Sequence, residues 1–407
     1  KEIVVPKNVT EIEESALGYY FDVENESDEK VTDFKIKAYH NSVGEKYAKD
    51  SNIDCIYLDE KYVMLGIKGT YNVNIDEAIK RINAIRYESC QEGVINPITG
   101  KPLTLKDYVP IKWSSDLEYI ARIRAAEASV TMDHIRTNNT FCLNIQSPNG
   151  ITQSSEVLAW NGSDDMLVAI EQWYKEKSDW VKENKNAVTG HYTAMINPSN
   201  NYVGLGTFCT ESGTYYNTTA GEFVSSSKNL DETKGTTVKN CIQELEVDTS
   251  ALCGKTSIQG NTDLKIGEKS ILSLVTDINY EDGYGKNLYV INPTWKISNN
   301  SIAAIELTNE TSCKITAKKC GNASITASFN GINVTKAINI KHSYKSKITK
   351  QPTCTSTGVK TYTCSVCGDS YTETIAKTSH NYSTSWTIDK QATCTEAGSK
   401  SHHCTVC

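Results

Sequence analysis

The sequence predicts a multidomain α+β chain: an α/β/α sandwich, then an all-β sandwich, then small cysteine-rich repeats. Three observations carry this. Between Tyr71 and Asn184 apolar residues recur with the 3.6-residue period of helices, and strand-like runs follow them. From Lys255 to Lys341 every recognisable segment alternates like a strand. Beyond that, a cysteine pattern returns after 40 residues.

Size and charge bound the function. A chain of 407 residues needs about two to four separate cores. A net charge of −7 and a pI near 5.6, with no basic stripe interleaved with aromatics, argue against nucleic acid as a partner. No window approaches the ~18 consecutive apolar residues of a membrane span. The first residues, "KEIVVPKNVT", lack an initiator Met and an apolar export core, which suggests a processed chain or an excised piece with its anchor elsewhere. Fourteen cysteines, an even count, suit an oxidising exterior.

The elements follow in order. Residues 1–62 hold short β-type runs and, in "IKAYHNSVGEKYAKDSNIDCIYL", a small helix over Glu45–Lys49 between two strands. That stretch resembles the closing unit of bacterial surface leucine-rich repeats, which bury a core only by stacking on neighbours. In residues 71–227, Asn74 with Glu77 predicts the start of a helix over Ile75–Glu88. Ser115 with Glu118 does the same for "SDLEYIARIRAAEAS", whose buried stripe is Leu117, Ile120, Ala121, Ala125 and Ala128. A third helix is expected after Ser163, through "MLVAIEQWYKEKSDWVKEN", with Trp173 and Trp180 inward. "NYVGLGTF" and "GEFVSSS" read as strands beneath these helices. Residues 228–254 read as a polar linker in which Cys241 and Cys253 have a spacing suited to a local disulfide. Residues 255–341 form the β-sandwich, with Trp295 suited to its core; "TWKISNNSIAAIE" followed by "ITAKKCGNASITASF" resembles the bacterial immunoglobulin-like domains of surface proteins.

Residues 342–407 contain the repeat. "QPTCTSTGVKTYTCSVC" at Gln351 returns at Gln391 as "QATCTEAGSKSHHCTVC". With almost no large apolar residues, such a unit needs cross-links or a metal to fold. Cys354, Cys364, Cys367 and His380 supply a tetrahedral zinc donor set; disulfides between repeats are the alternative. His342 either closes an earlier unit or marks a domain junction, and His402 and His403 match no repeated motif position.

The candidate site lies between these ends. Glu176 flanks the apolar face of the third helix, where a buried carboxylate needs a cation, a donor or a metal. Glu156 opens the apolar run of "SSEVLAW", His134 follows the end of a helix in "TMDHIRTNN", and His191 stands in "GHYTAMIN". The order of these pieces resembles the CAP superfamily of cysteine-rich secretory, antigen 5 and pathogenesis-related proteins, over about Tyr71 to Ser227. "GHYTAMIN" matches that family's Gly-His-Tyr-Thr signature, with Ala194 where Gln is common. The resemblance implies that His134, Glu156, Glu176 and His191 line a central cleft; the cysteine usage and the repeats point to an extracellular or bacterial cell-surface protein.

Imidazoles beside carboxylates suit zinc or another divalent cation, and no organic cofactor is indicated. The leading expectation is therefore binding or adhesion, with a small ligand, a lipid or a host surface molecule as partner. A cation-dependent hydrolase with Glu156 or Glu176 as catalytic base is the first alternative, and a structural stalk the second. No Gly-x-Ser-x-Gly elbow occurs, and Cys142 lacks a cysteine-protease context.

Overall fold

A computed structural model describes residues 1–40 and 42–407. At the N-terminus β1 (Glu2–Val4), β2 (Tyr19–Asp22), β3 (Ser27–Lys30), β4 (Lys35–Ala38), α1 (Val43–Asp50) and β5 (Asp54–Tyr57) follow in order. Strands β1, β4 and β5 pair in parallel, and α1 makes the crossover between the last two. Ser42 caps α1 by accepting from the Glu45 N–H, and Ile36, Ala38, Tyr47 and Ala48 form a small core.

Next come β6 (Tyr62–Asn72), α2 (Ile75–Glu92), β7 (Lys112–Trp113), α3 (Ser115–Thr131), β8 (Ser155–Asn161), α4 (Met166–Tyr174), α5 (Lys177–Val181), α6 (Gly190–Ile196), β9 (Tyr202–Cys209) and β10 (Asn217–Val224). Strands β6, β9, β10 and β8 lie side by side and antiparallel. Alternation along β8 divides the layers: Val157 and Ala159 face α2, α4 and α6, while Leu158 and Trp160 face α3. The expected α/β/α sandwich is present. Helix α3 lies so close to the sheet that a Cβ on Gly204 would collide with the Leu117–Glu118 backbone.

Local details differ from expectation where tertiary partners outbid short-range caps. The Asn74 side chain does not cap α2; its amide donates to Asp165 Oδ1 at 2.6 Å. Ser114, one residue earlier than predicted, caps α3, and Glu118 instead accepts the Trp113 indole N–H at 2.9 Å. The long third helix breaks at Lys175–Glu176 into α4 and α5, so Trp173 is buried while Trp180 is only half-buried. His191 sits in a short helix, α6, that precedes the predicted strand.

The expected linker over 228–254 is largely strand. β11 (Val238–Asp248) pairs antiparallel with β6, burying Leu245 and Val247, and β12 (Leu252–Gln259) pairs with β14 (Lys269–Asn279), after β13 (Asp263–Leu264) in the chain. Period-two alternation in "CIQELEV" is the physical reason, and its polar outer face gave the linker-like composition. Cys241 and Cys253 form no disulfide; their thiols lie against the carbonyls of Gly69 and Asp277.

The remaining sandwich strands are β15 (Tyr284–Val290), β16 (Thr294–Ile297), β17 (Ala303–Asn309), β18 (Ser312–Ala317), β19 (Gly321–Phe329) and β20 (Ile332–Ile340). One sheet runs β17-β18-β14-β15 and the other β13-β20-β19-β16, with Leu272, Leu274, Ile315, Ile325 and Ile338 in the shared core. Trp295 is half-buried against it. The first sheet does not end there: Tyr289 and Val290 pair with Gly66 and Leu65 of β6. One eleven-stranded sheet therefore runs from the sandwich into the α/β/α domain. The tail adds β21 (Tyr344–Lys350), β22 (Gly358–Cys364) and β23 (Ser370–Ile375) as one small sheet, then the hairpin β24 (Thr387–Lys390) and β25 (Ser399–Ser401).

Candidate functional site

Two histidine–carboxylate pairs flank the layer between β8 and its covering helices. At the end of α3 the chain reverses through Met132, in the left-handed region at φ 59°, and brings His134 back over β8. His134 Nδ1 lies 2.7 Å from Glu156 Oε1. Arg124, on the buried stripe of α3, reaches the same carboxylate with Nε at 2.6 Å and Nη2 at 3.2 Å, while its Nη1 donates to Glu127 at 2.6 Å. Arg136 closes the network on Glu127 at 2.8 Å. Burial alone would push Glu156 up, but His134 and Arg124 outweigh it and hold the carboxyl below the usual range. With Glu156 ionised, His134 Nδ1 is the donor in this contact, which in the neutral imidazole places the lone pair on Nε2.

The second pair is built at the break between α4 and α5. Glu176 accepts from His191 N and Tyr192 N, both at 3.0 Å, and its other oxygen lies 2.5 Å from His191 Nδ1. A carboxylate at these first-turn amides replaces the cap that Thr189 does not provide. Helix α6 is fixed in turn by α2: Tyr192 Oη bonds Ser89 Oγ at 2.8 Å, and Arg86 donates to the carbonyls of Met195, Asn197 and Asn200 at 2.7, 2.9 and 3.0 Å. Burial brings the Arg86 guanidinium down to about 10. Trp173 joins the pairs: its ring stacks on His191 at 6.4 Å, and its indole N–H donates at 2.8 Å to Leu158, two residues along β8 from Glu156.

The two pairs share one design. Each imidazole is partly open, His134 at 42% and His191 at 22% side-chain exposure; Glu156 behind the first is closed off at 0%, whereas Glu176 behind the second is half-buried at 16%. Both carboxylates have their oxygens engaged, so neither stands ready to take a proton from water. The four residues that the sequence singled out make up these two pairs. Sequence reasoning missed Arg124 and Glu127, although Arg124 stands three and four residues after Ala121 and Ile120 and so falls on the predicted buried stripe.

It also missed Glu222, opposite Glu156 across β10 and β8. Glu222 is fully buried and neither of its oxygens has a hydrogen-bond partner; burial, then the charge of Glu156, raise its pKa well above the usual value. Cys142 is part of this corner, with its thiol within 4.8 Å of ligand atoms on His134 and Glu156. Burial and the charge of Glu156 push it up to about 12, which makes it a poor nucleophile.

Two cavities lie in the same domain. One of about 320 Å³ is lined by Ile95, Trp180 and Thr189, beside the start of α6. A larger one, about 860 Å³, involves Asn161, Cys209, Tyr216 and Asn217 at the far end of β8. It is separated from Glu156 by five residues of strand, about 16 Å, and has no part in this chemistry.

Comparison with known proteins now places the fold. Residues 79–224 match the CAP family, the cysteine-rich secretory protein family. This segment is a CAP domain. Proteins of this family are generally extracellular or secreted. Among solved structures, the chain is similar to Schistosoma mansoni venom allergen-like protein 4, with 17% identity and a TM-score of 0.24, over 39% of this chain and 96% of that one. None of the curated proteins matches the sequence. Among the described residues no helix is long and apolar enough to cross a membrane.

The tail requires a correction. Spacing grouped Cys354, Cys364, Cys367 and His380, but the fold distributes them over two clusters. Cys364 and Cys367 meet Cys320 and His342, whereas Cys354 and His380 meet Cys404 and Cys407. The reason is that each Cys-x-x-Cys turn folds back onto the histidine before its own hairpin, not onto the one after it.

Proposed function

We propose that the CAP domain is the working module of a secreted or cell-surface bacterial protein, and that it binds a divalent cation through His134 and His191 next to a small-ligand groove. The carrying observation is the repeated arrangement in which a carboxylate takes Nδ1 of a partly exposed imidazole. A carboxylate at Nδ1 fixes the tautomer, raises the basicity of Nε2 and leaves it as a ligand atom. This donor chemistry fits zinc or a similar first-row ion. The cation would supply a positive anchor for an anionic or carbonyl-bearing group, and the cavity where Ile95 and Trp180 stand beside Asp179, Glu183 and Lys185 would take the amphipathic remainder of a lipid or host surface molecule. Adhesion is favoured over hydrolysis because Glu156 and Glu176 already have both oxygens engaged.

The test is metal stoichiometry on the full chain after equilibration with zinc and dialysis, wild type beside His134→Ala/His191→Ala. The wild type should hold one equivalent more than the double variant, with unchanged near-UV circular dichroism. Equal stoichiometry in two folded proteins would overturn the cation reading.

A further inference from the structure

Neither the cleft nor the sandwich accounts for the six cysteines and two histidines that cluster beyond β18. Among the described residues, the tail past Ile340 contributes nothing to the apolar core clusters. Its buried apolar side chains there are Cys354 and Cys364. A stretch that orders a three-stranded sheet and a hairpin without an apolar core needs another source of cohesion.

The geometry points to two closed tetrahedral Cys3His zinc centres: Cys320, His342, Cys364 and Cys367 in one, and Cys354, His380, Cys404 and Cys407 in the other. In each set the four ligand atoms lie within 4.8 Å of one another. The separations are those of tetrahedron edges. Zn–S bonds near 2.3 Å and a Zn–N bond near 2.0 Å place two sulfurs about 3.8 Å apart and a sulfur and a nitrogen about 3.5 Å apart. Cys320 and Cys364 sulfurs are 3.7 Å apart, and Cys354 and Cys404 sulfurs 3.6 Å. The His342 Nδ1 to Cys367 Sγ distance is 3.4 Å, and His380 Nδ1 to Cys407 Sγ is the same. A disulfide needs about 2.05 Å, and three cysteines around one histidine cannot pair off.

The local architecture repeats with the ligands. Each histidine begins a His-x-Tyr triplet whose rings stack, His342 on Tyr344 at 5.2 Å and His380 on Tyr382 at 5.5 Å. Each second pair of ligands is a Cys-x-x-Cys turn. In one, Gly368 follows in the left-handed region at φ 75°; in the other, the Val406 N–H approaches Cys404 Sγ at 3.5 Å. Three thiolates and one imidazole with no open position select zinc and make the site structural rather than catalytic.

The sets also interlock. Cys320 stands at the start of β19 in the sandwich, and Cys354 in the loop between β21 and β22, so each centre takes one ligand from the module before it. Zinc would thus fasten the sandwich to the first tail unit, and that unit to the second.

The experiment uses the full chain carrying His134→Ala/His191→Ala, which keeps the cleft out of the count, prepared reduced and loaded with zinc or cobalt(II). Two equivalents of zinc are expected, and strong sulfur-to-cobalt charge-transfer absorption in the near ultraviolet. Cys320→Ser should abolish one equivalent while Cys404→Ser abolishes the other, and each variant should keep half of the cobalt signal, which shows that the rest of the tail is folded. Two outcomes would overturn the proposal. One is retention of both equivalents in Cys320→Ser. The other is a reduced, zinc-equilibrated chain that binds none and on air oxidation loses 2 Da for each bridge formed.

Discussion

Glu222→Gln tests the electrostatics under the cleft. Facing Glu222 are Glu156 on β8, Arg124 and Glu127 on α3, and Cys142 on the segment between them. With Glu222 neutral, Glu127 and Glu156 balance Arg124 and Arg136; ionised, it adds an unpaired buried charge. Its folded pKa is raised, so above the unfolded value near 4.5 the native state keeps a proton that the unfolded chain has lost. Stability then falls with rising pH by about 1.4 kcal/mol per unit until the folded pKa is reached. Across any interval between about 4.5 and the folded pKa this is about 1.4 kcal/mol, or about 3–6 °C in Tm for a unit of this size, for each pH unit. Gln has the same shape and no proton to lose. Melts followed by tryptophan fluorescence suit the assay, because Trp113, Trp160, Trp173 and Trp180 all lie within the CAP domain. The variant's advantage over wild type should widen by that amount for each pH unit across the interval. A difference independent of pH would refute the assignment of a neutral Glu222.

Arg124→Met leaves Glu127 and Glu156 buried without their main cation and should cost about 3–5 kcal/mol; a loss under about 1 kcal/mol in a urea titration would show that the network is not a stabilising unit. Gly204→Ala should yield little soluble protein because α3 must shift, whereas Gly190→Ala, with open space around its Cβ, should melt within about 1 kcal/mol of wild type. Chelation should accelerate amide exchange across β21–β25 and leave β19 and β20 protected, as read by exchange mass spectrometry. A thiol reagent applied to native zinc-loaded protein should label the exposed Cys253 and Cys394 well before the buried Cys142 and Cys313.

Much of the CAP domain was legible because its helices carry clean stripes: Leu117, Ile120, Ala121, Ala125 and Ala128 are all buried, as their spacing requires. The two histidine–carboxylate pairs could be approached only through motifs, since no local pattern links His134 to Glu156 across 22 positions. What escaped was the support behind them. Arg124 was visible to periodicity, but a charge on an apolar stripe was not followed to its partner. Glu222 offered no such signal, because one acidic residue in "GEFV" reads equally as a solvated strand position. The two clusters of three cysteines and one histidine escaped because a repeat invites grouping within its own period, whereas the fold gathers residues across it.

The pairing of β6 with both β11 and β15 has a mechanical consequence. Modules strung on loose tethers swivel, and a tug at one end is spent on straightening the string. Here the strand that enters the CAP domain is held on one side by β11 along nearly its whole length and meets the sandwich at its start. Tension applied through the tail is transmitted directly into the CAP sheet, and the His134–Glu156 pair on that sheet keeps a fixed bearing relative to the sandwich, as a hook does on its shank.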